Sequence, residues 1–319
     1  MGTVHARILG GLPEADQVLI ADLNAERARA VAQEVGAKAV ETVADLFGEG
    51  LDAVVIAAAT TAHDGLVRLA ISHRVPVFCE KPLAADLAAT RALVADLDAV
   101  DTPVQVGFQR RFDPGYVAIR DAVRSGELGW LHTLRACTSD AAPPHASYLP
   151  TSGGIFRDCS VHDFDAIRFV TGRDVVEVYA TGANRGDPCF TEASDVDTGM
   201  ALLTLDDGTL AVCTATRYNG AGYDVRLEAC GSKGTLVAGL DDRAPLRAAP
   251  PAGGPVGVAY AGFLERFASA YEAELRTFLR VAAGEEQCPC TPQDSLAAML
   301  VADAATESRV TGRPVAIQR

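Results

Sequence analysis

The sequence is short of positive charge, of long apolar runs and of paired cysteines. Lys plus Arg number 28 against 42 Asp plus Glu, a net charge of -14. A chain so poor in cations lacks the basic footprint needed to bind nucleic acid or an anionic membrane surface. The longest apolar run, Ala53 to Ala59, falls far below the roughly 20 residues that cross a bilayer. The opening Met1-Gly-Thr-Val-His-Ala-Arg7 shows no charged segment leading into an apolar one, so no signal peptide is read and a cytoplasmic location is expected. The eight cysteines (Cys79, Cys137, Cys159, Cys189, Cys213, Cys230, Cys288, Cys290) are scattered and form no CxxC. Several lie in strand-like runs such as Val75–Cys79, the pattern of reduced core thiols. Cys288-Pro-Cys290 is the one close pair. Without a second pair at zinc-site spacing it reads as loop thiols.

What is present is a globular composition, 49% hydrophobic over 319 residues, too apolar for disorder and long enough for two domains. Up to about residue 108, short apolar runs alternate with helical stretches. Strands are expected at Gln17–Asp22, Leu51–Ala58, Val75–Cys79 and Val104–Phe108, and helices at Asn24–Val35, Asp64–Ser72 and Asp86–Asp98. Near-continuous apolar strands separated by helices imply a parallel, doubly wound α/β sheet, with ligands beyond the C-terminal strand ends. Beyond residue 120, strands follow one another: Leu131–Thr138, Val175–Gly182, Thr198–Leu205, Thr209–Arg217, Tyr223–Cys230 and Thr235–Ala238. Asp206-Asp207-Gly208 marks a hairpin turn. Helices are expected near Asp158–Val170, Phe263–Ala283 and Pro292–Val310. The second part, 109–319, is therefore expected to be an α+β domain with a mostly antiparallel sheet, covered by helices on one face and free to pack a second subunit on the other. The Pro-, Ala- and Gly-rich stretch Arg243–Tyr260 is expected to be mobile.

Three clusters carry candidate chemistry. Glu80-Lys81-Pro82 follows a buried strand, and the proline keeps Lys81 extended at a C-terminal strand edge. A Lys there can share or deliver a proton, or be an ordinary surface Lys before a turn. In Gly153-Gly154-Ile-Phe-Arg-Asp158-Cys-Ser-Val-His162-Asp163, two glycines let the chain turn before a helix starts. Asp158 and His162, four apart, share a helix face, so the carboxylate can orient an imidazole acting as general base. A capping Asp beside a satisfied His is the bland alternative, and zinc or iron a rival use of Asp158, His162 and Asp163. No further His stands at ligand spacing, so no metal is expected. In Val106-Gly-Phe-Gln109-Arg110-Arg111-Phe-Asp113, the arginines can bind a polyol or carboxylate, or pair with local acids such as Asp113.

Together and in this order, the EKP tripeptide, the VGFQRRFD junction and the GG-x(3)-D-x(3)-HD helix start resemble the Gfo/Idh/MocA family of nicotinamide-dependent oxidoreductases, over essentially the whole chain. Gly153–Asp165 and Gly222-Tyr223-Asp224-Val225 are most similar to inositol 2-dehydrogenases. The resemblance implies a Rossmann-type domain over 1–108 binding NAD, a substrate-binding and oligomerisation domain over 109–319, and a homodimer or homotetramer. It implies that a polyol or sugar gives its hydroxyl proton to His162 and its hydride to the nicotinamide, that Asp158 supports His162, and that Lys81 hydrogen-bonds the reacting oxygen. Arg110 and Tyr223 match positions near substrate; Gly2, Thr60, His63, Glu80 and Gln109 match positions near the cofactor. Asp22, ending the first strand-like run, suits the adenosine ribose hydroxyls and repels a 2′-phosphate. Arg27 and Arg29 lie only on the following helix, so NAD is expected over NADP. Other sugar or keto-sugar dehydrogenases, and an inactive cofactor-binding homologue, are the alternatives.

One family feature is missing. A Rossmann domain opens on a strand feeding GxGxxG, whereas this sequence matches only from the third glycine, Gly2. A gap in the sheet is therefore expected between Gln17–Asp22 and Leu51–Ala58. The expected natural start lies roughly 10–15 residues earlier, enough for a strand and its glycine loop; a true truncation is the alternative. His5, on the helix after Gly2, reads as structural.

Overall fold

The computed structural model describes residues 1–246 and 257–318. The middle of the Arg243–Tyr260 loop lies outside the described residues. The chain divides into two compact units, Met1–Gln109 with Ser269–Leu296, and Arg110–Ala268 with Ala297–Arg319.

The first unit alternates helix and strand: α1 (Gly2–Gly11), β1 (Leu19–Ile20), α2 (Ala25–Val35), β2 (Lys38–Ala39), α3 (Val43–Gly48), β3 (Val54–Ile56), α4 (Thr60–Ser72), β4 (Val77–Glu80), α5 (Leu87–Leu97) and β5 (Val104–Gly107). Local chemistry sets the boundaries. Asn24 caps α2 by accepting the Glu26 and Arg27 amides, Gly36 ends that helix at φ +70°, and Asp86 caps α5 through the Ala89 amide. Every strand pair is parallel. Central β4 is buried along its whole length, which its unbroken apolar run requires. The strands form two sheets, β1-β2 and β3-β4-β5. Among the described residues no ladder joins β1 to β3, and that break is the expected gap.

The segment Ser269–Leu296 also belongs to this unit, whereas the sequence reading placed it in a continuous second domain. The reason is packing. Leu275 and Phe278, on the helix Ala268–Ala282, complete a core with Leu12 and Phe78, and the Phe78 and Phe278 rings lie 5.7 Å apart.

The second unit opens on α6 (Pro114–Ser125), unread in the sequence although its start signal is strong: Asp113 accepts the Gly115 and Tyr116 amides and Pro114 is the first helical residue. Seven strands follow, β6 (Leu131–Ser139), β7 (Val175–Ala183), β8 (Thr198–Leu205), β9 (Leu210–Thr216), β10 (Asp224–Gly231), β11 (Thr235–Ala238) and β12 (Val315–Ala316), in the sheet order β11-β10-β6-β9-β8-β7-β12. All pairs are antiparallel except β6 with β9. The expected hairpin joins β8 to β9, with Gly208 at φ +86°.

Strand alternation separates the two faces of this sheet. Val178, Leu203, Ala211, Leu134 and Ala229 point inward and are essentially inaccessible, and the helix Val161–Thr171 packs on β6 and β9. The opposite register carries the row Tyr179–Leu202–Val212–Arg135–Glu228–Val237. There Tyr179, Leu202 and Val237 are exposed, as is Met200 beside them.

Candidate active site

In the second unit the Gly153-Gly154 turn sets the start of the site. Both glycines have positive φ, +80° and +87°, and a Cβ on Gly154 would stand 3.1 Å from Asp195 Oδ1. The chain then enters a π-helical turn, Phe156–Ser160, before the α-helix Val161–Thr171. A wide turn of this kind is common at functional positions. Asp158 lies in the π-turn and His162 in the first turn of the α-helix.

The Asp158 carboxylate is held from two sides. Tyr148 Oη donates to Oδ1 at 2.9 Å and Arg217 Nη2 to Oδ2 at 2.6 Å. Arg217 Nη1 also reaches Asp140 Oδ2 at 2.9 Å. Burial works against the Arg217 charge, but Cys159, Asp158 and Asp140 outweigh it and its pKa rises. Burial pushes the Asp140 carboxyl up despite Arg217. Burial, then the Asp158 charge, pushes the Tyr148 phenol up, so it stays a donor. Tyr148, Asp140 and Arg217 were not among the residues singled out in the sequence. Arg217 had a signal: it continues the inward register of Ala211, Cys213 and Ala215. An Arg in that register must find a counter-charge.

The junction arginines are anchors. Arg110, 2% exposed, pairs with Asp163, 1% exposed. It also donates to Thr138 Oγ1 at 2.9 Å, and Thr138 donates to Asp163 Oδ2 at 2.8 Å. Arg111 pairs with Asp165. Asp113, one of the local acids the sequence offered as a partner, binds Arg266 at 2.7 Å. Arg110 is thus paired with a buried acid. Tyr223 is buried, bridges Tyr260 in a single β-pairing, and has its phenol pushed up by burial.

In the first unit the strand ends carry the other candidates. Lys81 follows β4, its amide 3.2 Å from Glu80 Oε2, and the Lys81–Pro82 peptide is cis. Two residues expected at the cofactor are turned inward. Glu80 Oε1 lies 2.6 Å from His5 Nε2, a pair almost closed to solvent. His63 is buried with Nδ1 2.8 Å from the Pro82 carbonyl and Nε2 3.2 Å from that of Ala58. Both therefore brace the turn that presents Lys81 instead of offering free polar groups. Removing His5 leaves a buried carboxylate without its partner. His5→Ala is expected to cost about 2–3 kcal/mol, read as a lower urea midpoint with unchanged slope.

Gly2 starts α1 against the end of β3, where an added Cβ would lie 3.8 Å from the Ala57 carbonyl. Thr60 opens α4, and Gln109 is buried at the end of the unit. Asp22 differs from expectation. Arg27 reaches back from α2 and grips both carboxylate oxygens, at 2.8 and 2.6 Å. That bond holds the Asp22 carboxyl below its usual range. The first turn of a helix folds back on the preceding strand end, so five residues in sequence became contact in space.

Parallel strands with a helix N-terminus at their C-terminal edge are the scaffold of a dinucleotide-binding protein, and the second sheet domain of the same chain carries Asp158 and His162 on successive turns. The model of the oxidoreductase family's NAD-binding Rossmann fold matches residues 1–108, and that of the Gfo/Idh/MocA C-terminal domain matches residues 116–237. The chain belongs to the Gfo/Idh/MocA family and is an NAD-binding oxidoreductase of the inositol dehydrogenase type. The myo-inositol dehydrogenase Hyg17 of Streptomyces leeuwenhoekii is 40% identical, over 99% of this chain and 97% of that one. A crystal structure of a myo-inositol dehydrogenase from Corynebacterium glutamicum is 36% identical, with a TM-score of 0.91 over 100% of this chain and 96% of that one. The scyllo-inositol dehydrogenase of Lactobacillus casei, solved with NAD(H) and scyllo-inositol, is 29% identical, with a TM-score of 0.88 over 99% and 96%. Among the described residues no helix is long and apolar enough to cross a membrane.

Proposed function

We propose that the protein oxidises a secondary alcohol of an inositol-like cyclic polyol. The observation that carries this is the Asp158 carboxylate, fixed between Tyr148 and Arg217 one turn before His162. His162 takes the hydroxyl proton as the carbon loses hydride. Asp158, paired with Arg217, stabilises the imidazolium that results. Lys81 hydrogen-bonds the reacting oxygen and helps relay the proton, on a turn braced by Glu80 and His63.

The first unit's residues fit a dinucleotide. Gly2 presents a helix N-terminus with no side chain, and the small residues Ala57–Ala59 follow β3. Gly2, Thr60 and Gln109 would hold NAD, with the Asp22–Arg27 pair toward the adenosine ribose. Bound NAD supplies the hydride acceptor.

The test is NADH formation from a panel of inositols and aldoses, with the reverse reaction on the corresponding ketones and with NADP alongside NAD. Turnover of an inositol with NAD is expected. Turnover confined to aldoses or keto-sugars would move the substrate elsewhere in the family, and no turnover on any member of the panel would overturn the reading.

The exposed sheet face supports a homo-oligomer as part of the same proposal. Tyr179, Met200 and Leu202 lie side by side on β7 and β8, an apolar patch that a monomer seldom leaves in water. Leu202→Asp is expected to shift sedimentation toward the monomer, with far-UV circular dichroism unchanged. Unchanged sedimentation would remove this face as the interface.

A further inference from the structure

The second unit holds a cavity of about 160 Å³ lined by Gly154, Ile155, Ser194, Asp195, Thr306 and Arg309 among others. It uses none of the groups assigned to catalysis above. Asp195 is 7% exposed, and only one of its oxygens is satisfied. Oδ1 accepts the Ile155 amide at 3.0 Å, while buried Oδ2 has no hydrogen-bond partner. On the same wall Arg309 Nη2 makes a long bond, 3.3 Å, to the Ser194 carbonyl. Among the described residues Arg309 forms no ion pair, with Asp195 or with any other acid. Thr306 donates its hydroxyl proton to the Ala302 carbonyl at 2.9 Å, which leaves its oxygen free to accept.

Two opposite charges thus line one cavity without meeting. A buried carboxylate oxygen with no donor is costly, and a neutral polyol would satisfy its hydrogen bond but not its charge. An ammonium does both through a charge-assisted bond. The Arg309 fork has the matching preference for a carboxylate. Metal ions are disfavoured because Asp195 is the cavity's one acid, whereas hard cations take several oxygen ligands. Among the described residues no cluster of three or more His, Cys, Asp or Glu could hold a metal. The volume is that of roughly five waters, enough for one small organic molecule.

We propose that this cavity binds a small zwitterion of the α-amino-acid class, with its ammonium on Asp195 Oδ2 and its carboxylate on the Arg309 guanidinium. Binding is read directly, so the outcome is independent of which polyol the enzyme turns over. Titration calorimetry and thermal unfolding of the full chain are run with glycine, L-alanine, L-serine and L-leucine, and with methylammonium, acetate and myo-inositol as controls. Saturable binding of at least one amino acid is expected, weakened roughly tenfold or more by Asp195→Asn and by Arg309→Gln separately. Asn keeps the oxygen that accepts the Ile155 amide, and Arg309→Gln, at a partly exposed position, provides the test if the first variant does not fold. The proposal is overturned by no saturable binding of any amino acid, by binding unchanged in the folded variants, or by methylammonium, acetate or myo-inositol binding as tightly with the same dependence on Asp195.

Discussion

Replacing His162 with Ala is expected to lower kcat/KM for polyol oxidation by roughly 10²–10⁴-fold, the range for a lost general base, with NAD affinity unchanged. The loss should be greatest in kcat, because the imidazole acts as the proton leaves and not while the polyol is held. The pH profile is the sharper readout. The wild-type rate should rise across the titration of a basic group, and His162→Ala should abolish that limb, leaving hydroxide to drive what activity remains. Asp158→Asn keeps an acceptor for Tyr148 but removes the charge that supports an imidazolium. It should move the same limb to lower pH. A variant that lost activity while keeping the pH profile intact would count against His162 as the base.

Arg110→Met is expected to cost about 3–5 kcal/mol, the penalty for stranding one member of a buried ion pair. Asp163 and Thr138 stay behind with no route to water. In thermal unfolding this is a drop on the order of 10 °C. The pH dependence has a definite sign. Burial already pushes the Asp163 carboxyl up, and Arg110 is the main force holding it down. Without Arg110 its folded pKa rises further above the unfolded value. The cost is then fully present above the folded pKa and relieved as pH falls through it. The deficit of the variant should therefore narrow as pH falls from neutral toward the ordinary carboxylate range. Arg110→Met combined with Asp163→Leu should be less destabilised than Arg110→Met alone. If the double variant is worse, the pair is not the source of the cost.

The two fold classes were legible because periodicity carries them: unbroken apolar runs for buried parallel strands, alternation for β6 to β10. The strand β7 shows the limit of that signal, since its Val175-Val176 pair breaks alternation where the register shifts against β8. The isolated pairs Lys38–Ala39 and Val315–Ala316 are too short to carry any period. Asp158 and His162 were singled out because residues four apart on a regular helix share a face, whereas the structure puts Asp158 in a π-helical turn ahead of the helix that carries His162. Arg217 and Tyr148 were not, because their meeting with Asp158 is made by the tertiary fold, 59 and 10 residues away in sequence. The Glu80–His5 pair was hidden for a related reason. A carboxylate beside a reactive-looking Lys invites a role at the ligand, and only the burial of His5 shows that it faces inward.

The helix Ala268–Ala282 also determines when the cofactor-binding unit can form. Phe78 and Leu12 emerge early from the ribosome, but Leu275 and Phe278, which complete their core, follow only after the roughly 160 residues of chain that separate the two parts of the unit. At typical synthesis rates that interval is on the order of 10–30 s. During it the nascent first unit exposes an unfinished apolar surface, while β6 to β11 of the second unit are made and only its edge strand β12 is still to come. Neither unit is closed by one continuous stretch of chain, and a chain cut at Gln109 lacks the residues that close the first unit's own core.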